Sequence, residues 1–170
     1  KSVYRAIAKD FKLAKGKVKK NVHPSEKTIA LEITVPDLFE TGGTAKIGYV
    51  FGYKSKKLRI VNIVWGKGVT ENVDGKDVID MANLLRTHFL KKRYKEKSLV
   101  ANAQLSDTST LIFRGRDKSD RMILLMLTIQ GKQEGQTKEQ AINNTTLLLS
   151  YIFNPDKPDI RNISIKDDEF

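Results

Sequence analysis

The chain has no cysteine, which excludes disulfides, thiolate metal ligands and cysteine nucleophiles. It has only two histidines, His23 and His88, far apart and in different kinds of segment. Neither has the close histidine or carboxylate spacing of a zinc or calcium site. No apolar run approaches the ~20 residues needed to cross a bilayer, the longest lying around Met122 to Leu127. Nucleophile elbows and serine-lysine signatures are missing too. The glycine pairs Gly42-Gly43 and Gly66/Gly68 do not follow the spacing of a phosphate-cradling loop and read as turns. No metal, cofactor or catalytic residue is therefore expected, and an enzyme is not predicted.

What remains is 170 residues, 39% hydrophobic and 30% charged, enough for one domain with a sizeable core. Thirty-one Lys+Arg against 20 Asp+Glu give a formal charge of +11. Such an excess favours anionic partners without choosing among nucleic acid, membrane headgroups and acidic protein. The chain opens on Lys1-Ser2-Val3-Tyr4-Arg5, with neither a methionine nor the apolar stretch of a signal peptide. Removal of an export signal and ordinary trimming both account for that beginning.

Val3, Ile7 and Phe11 recur every four residues and predict a helix over about 3 to 14, ended by Gly16. The lysines between Lys9 and Lys20 then read as a basic loop. Strict alternation of Ile29, Leu31, Ile33 and Val35 predicts a strand over 28 to 35. A second strand carries Ile47, Tyr49, Phe51 and Tyr53, and a third runs from Leu58 to Trp65. With Lys54 to Lys57 as the turn, these two form an antiparallel hairpin. Val78, Met81, Ala82, Leu85 and Phe89 mark one face of a long helix over about Asp77 to Tyr94. Asp74 is its candidate N-cap, and Lys91, Lys92 and Arg93 complement its last turns. Asp74, Asp77 and Asp80 are read as capping and dipole residues rather than as a carboxylate site. Strands over about 98 to 105, 109 to 116 and 121 to 129 follow, the last apolar on both faces and so placed centrally. The segment ending in Leu147 to Phe153 fits a helix as well, but its β-branched and aromatic residues favour a strand.

These elements predict an α+β fold over 1–170, a largely antiparallel sheet with the long helix packed on one face. A coarse echo of helix then strands suggests two αβββ-type halves, 1–68 and 69–170. The expected core comprises Ile29, Leu31, Ile33, Val61, Ile63, Val78, Met81, Leu85, Phe89, Leu111, Phe113, Leu124 and Leu149. His88, at the border of the helix's apolar face, is expected to be partly buried and structural.

Only the cations carry a functional signal. Lys54, Lys56, Lys57 and Arg59 surround the hairpin bearing Tyr49, Phe51 and Tyr53, and Arg114 and Arg116 end another strand near Phe113. Aromatics on a sheet with flanking cations suit single-stranded nucleic acid. Lysine, however, exceeds arginine 23 to 8, and arginine is the better residue for specific recognition. The hairpin from Tyr49 to Val61, with aromatics on one strand and a polar turn, resembles those of beta-lactamase-inhibitor-protein-like folds and of small periplasmic outer-membrane assembly lipoproteins. That resemblance implies an exported binding module without catalytic activity and carries over no residue role. The expected function is a non-enzymatic, bacterial-type exported binding or assembly protein, periplasmic or secreted. Its basic surface, Lys54, Lys56, Lys57, Arg59, Arg114 and Arg116, would meet an acidic protein or envelope component. The alternative is a nucleic-acid-binding protein, cytoplasmic rather than exported.

Overall fold

A computed structural model describes residues 2–12, 17–39, 41–71, 73–129 and 137–161. The fold is α+β, with eight strands in one open antiparallel sheet and few helices. Helix α1 (Ser2–Asp10) precedes β1 (Lys19–Val22), β2 (Ile29–Val35), β3 (Ala45–Phe51) and β4 (Leu58–Gly66). Helix α2 (Gly75–Leu90) precedes β5 (Val100–Ser106), β6 (Ser109–Arg116), β7 (Met122–Ile129), the short α3 (Lys138–Ile142) and β8 (Thr145–Ile152). The spatial order is β1-β2-β3-β4-β8-β7-β6-β5. Two four-stranded runs, the first opened by α1 and the second by α2, thus meet where β4 pairs with β8.

The segment ending in Leu147 to Phe153 forms strand β8, as its residue types favoured, while α3 accounts for the helical periodicity just before it. Other expectations need correction. Lys19 and Lys20 belong to β1 rather than to a loop; an edge strand exposed along its whole length has no apolar alternation to betray it. Helix α1 stops at Asp10, and Lys12 already takes a positive φ of 50°; Gly16 lies outside the described residues. Helix α2 ends at Leu90 with Lys91 as C-cap, so Lys92 and Arg93 fall beyond its last turn. His88 is exposed, its ring edge-on to Phe89 at 5.5 Å. Asp74 is the N-cap, accepting the Lys76 N–H at 2.9 Å.

A period of two divides the strands between two faces, interrupted by bulges at Val50/Phe51, Gln104/Ser106 and Leu111/Phe113, the last of which puts Leu111 and Phe113 on opposite faces. Trp65, Phe113, Leu125, Leu147 and Leu149 form one buried cluster with Val78, Met81, Leu85 and Phe89 of α2. Leu31, Ile33, Ile47 and Phe51 form a second with Ile7 of α1. Pairing links the strand members of both, as in Ile33↔Ile47↔Ile63↔Leu149↔Leu125. They therefore share a single side of the sheet, called here the core face. A Cβ on Gly75 at the start of α2 would stand 2.1 Å from the carbonyl oxygen of Ile142 at the end of α3.

Candidate functional site

The alternate positions build the other, outer face. One row crosses all eight strands in register: Lys19, Glu32, Gly48, Asn62, Ser150, Leu124, Arg114, Val100. The next runs from Thr34 and Lys46 through Val64, Leu148, Met126 and Leu111 to Ala103. Leu124, expected in the core, lies here and is only partly buried, because the neighbouring Leu125 takes the inward position. An unbroken apolar run such as 122 to 127 cannot show which alternate residue faces in.

The centre of this face is apolar. Val64, Leu148, Leu124 and Met126 are half-buried, and none belongs to either core cluster. A Cβ on Gly48, in the middle of the first row, would meet no described atom within 4 Å. Among the described residues, no helix shares a buried cluster with this part of the sheet. One polar pair interrupts it: the Ser150 hydroxyl donates to Asn62 Oδ1 at 2.7 Å, so the nearly buried hydroxyl keeps a partner.

Cations occupy both ends. At the β1 corner a cleft of about 800 Å³ is lined by Lys12, Lys17, Lys19 and Lys46. Glu32, the one carboxylate among its described lining residues, already binds Lys46 at 3.1 Å and Asn21 at 2.8 Å. At the opposite end, Lys95, Lys97, Arg114 and Arg116 line a hollow of about 340 Å³ together with Asp120, which is paired with Lys95 at 2.5 Å.

The segment from Phe153 to Arg161 straps one margin of the sheet. Its Pro155, Pro158 and Ile160 enclose a cavity of about 180 Å³ with Val50, Ile60 and Ile152 of the outer face. Arg59 donates to the carbonyls of Asn154 (3.1 Å) and Lys157. Arg116 donates to Asp156 from both terminal guanidinium nitrogens, at 2.6 and 2.9 Å. Asp159 accepts the backbone N–H groups of Lys54 (2.8 Å) and Ser55 (2.9 Å) in the β3–β4 turn. Bonds from Ser55 and from these two amides, with the nearby Arg59 charge, hold the Asp159 carboxyl down at about 2.

The six cations singled out from the sequence therefore separate. Lys54, Lys56 and Lys57 stand exposed on the β3–β4 turn, with Lys56 Nζ 5.1 Å from the Tyr53 ring centroid. Arg59 is bound to the strap. Arg114 and Arg116 come together in the hollow at the far end, Arg116 tied to Asp156. Sequence reasoning missed Lys12, Lys17, Lys19, Lys46, Lys95 and Lys97, which converge only through strand pairing and chain reversals. The aromatics lie elsewhere. Phe51 and Phe113 are buried in the core, and Tyr49 packs against it with its hydroxyl pKa raised by burial and then by Asp10.

No protein-family model, curated protein or solved structure matches the chain.

Proposed function

We propose that the protein is a non-enzymatic binding module, exported to the periplasm or beyond, that docks a partner protein on the outer face of its sheet. In this reading α1 and α2 cover the core face and leave the outer one for the partner. The observation that carries it is the apolar row of half-buried Val64, Leu148 and Met126 with the buried Leu111, continuous across four strands and flanked by cations at both ends. An apolar row across several strands with charge at both ends suits an interaction site. The partner that fits has an apolar centre and an acidic rim, because opposite potentials steer encounter and fix register. A second copy fits poorly: any face-to-face pairing sets cations against cations. Nucleic acid is the weaker fit, since Tyr49, Phe51 and Phe113 lie in or against the core and leave Tyr53, beside Lys56, as the half-exposed aromatic of the β3–β4 hairpin. Arg114 and the turn lysines Lys54, Lys56 and Lys57 are the proposed rim contacts.

Photo-crosslinking in the native host tests this, with the crosslinker at position 126 and, as control, at the exposed Leu84 of α2. The expected result is one protein adduct at 126 and none at 84, weakened by Arg114→Glu and by salt. Adducts to nucleic acid, or equal adducts at both positions, refute the reading.

A further inference from the structure

A second feature lies on the opposite side of the sheet, at the first turn of α1. Residues three and four apart share a helix face, so Val3 and Tyr4 continue the apolar stripe of Ile7. Ile7 is buried to 4% exposure, whereas Val3 and Tyr4 stay 41% and 37% exposed. The stripe runs on past the surface that covers it. Beneath that turn is a recess of about 560 Å³, floored by Ile29, Leu31 and Phe51 and walled by Val3 and Tyr4.

The other described lining residues are Arg5, Lys20 and Lys56; among the described residues no carboxylate lines the recess. Lys20 is paired with Leu31 and so lies on the core-face side of β1. An inward-facing lysine on an edge strand discourages pairing with another chain. That accounts for Lys20 alone and not for its meeting Arg5 and Lys56 around one apolar floor. Small-ligand sites commonly join a mostly apolar lining to a few placed polar groups, in volumes of roughly 300 to 1,000 Å³.

We propose that this recess binds a free amphiphilic anion of the fatty-acid class. The acyl chain lies on Ile29, Leu31 and Phe51, and the carboxylate is held by Lys20 with Arg5 and Lys56. The site is independent of the outer face, so Met126→Glu leaves it intact.

Titration calorimetry of the 170-residue chain with octanoate and decanoate, below their micelle concentrations, tests the proposal. One saturable site is expected, tightening about two- to fourfold per added methylene as apolar surface is buried. Lys20→Glu, at an exposed position, and the uncharged methyl ester should each weaken binding roughly tenfold. Circular dichroism checks that the variant is folded, and Val3→Glu provides a second variant with the same expected loss. Three results overturn the proposal: no saturation at millimolar ligand, unchanged affinity in both variants, or binding only to anionic phospholipid vesicles. The last would identify a membrane-contacting surface instead.

Discussion

Leu124 and Leu125 are neighbours in β7 with the same side chain and opposite surroundings, so truncating each to alanine tests the division of the sheet into two faces. Leu125 is fully buried between Phe113 and Leu149 in the cluster that includes Met81 and Leu85 of α2. Leu125→Ala removes buried apolar groups and leaves a cavity that its strand neighbours cannot close, costing about 3 to 5 kcal/mol. Leu124 stands between Arg114 and Ser150 on the outer face, half-buried and open on one side. Leu124→Ala forfeits part of a transfer energy and encloses no cavity, so about 1 kcal/mol is expected. At roughly 2 to 4 °C per kcal/mol for a chain of this length, the melting points fall by about 6 to 20 °C and about 2 to 4 °C respectively. Urea unfolding at constant m-value measures both losses without assuming a temperature dependence. Equal losses would mean that Leu124 is covered in solution, and the outer face would then not be a free surface.

Two further outcomes follow from the same structure. Asp159 has its carboxyl lowered from 3.8 to about 2 in the folded chain, so the bonds it makes stabilise fully above about pH 4 and are lost as pH falls toward 2. Amide exchange at Lys54 and Ser55 should lose its protection over that window in the wild type, and at neutral pH in Asp159→Ala; protection that persists in the variant would show that the strap is held by other contacts. Gly75→Ala, favourable by helix propensity alone, is expected to cost about 1 to 3 kcal/mol because its Cβ meets the Ile142 carbonyl. Gly48→Ala, with no described atom in reach, should be close to neutral by the same urea assay, and a reversal of the two would contradict the assigned packing.

Much of the architecture was written in local pattern. Ile29 to Val35 alternates because one side of β2 is buried, and α2 shows its period because Val78, Met81, Leu85 and Phe89 share a stripe. Strand β1 was illegible for the converse reason: Lys-Lys-Asn-Val at an exposed edge buries nothing that could impose a rhythm. The strap was hidden in another way. Arg59 and Asp159 act through partners about a hundred positions away, and no local spacing records such a contact. The outer face combines both difficulties. Its apolar residues were visible, but membership of one surface depends on register across strands that are not consecutive. The cations at its ends meet only after the whole sheet is paired.

That pairing also sets when the sheet can be completed. Strand β8, the last described strand in chain order, inserts between β4 and β7, and its pairing with β4 joins the two four-stranded runs within the sheet. Until residues 145 to 152 arrive, β4 and β7 each present an unpaired edge, and both are rich in valine, isoleucine and leucine. Closing the sheet at its centre with its final strand demands contacts of long sequence separation, which slow folding. A chain stalled or cut before Thr145 is thus a hazard for intermolecular strand pairing during synthesis, and its rescue is a task for chaperones.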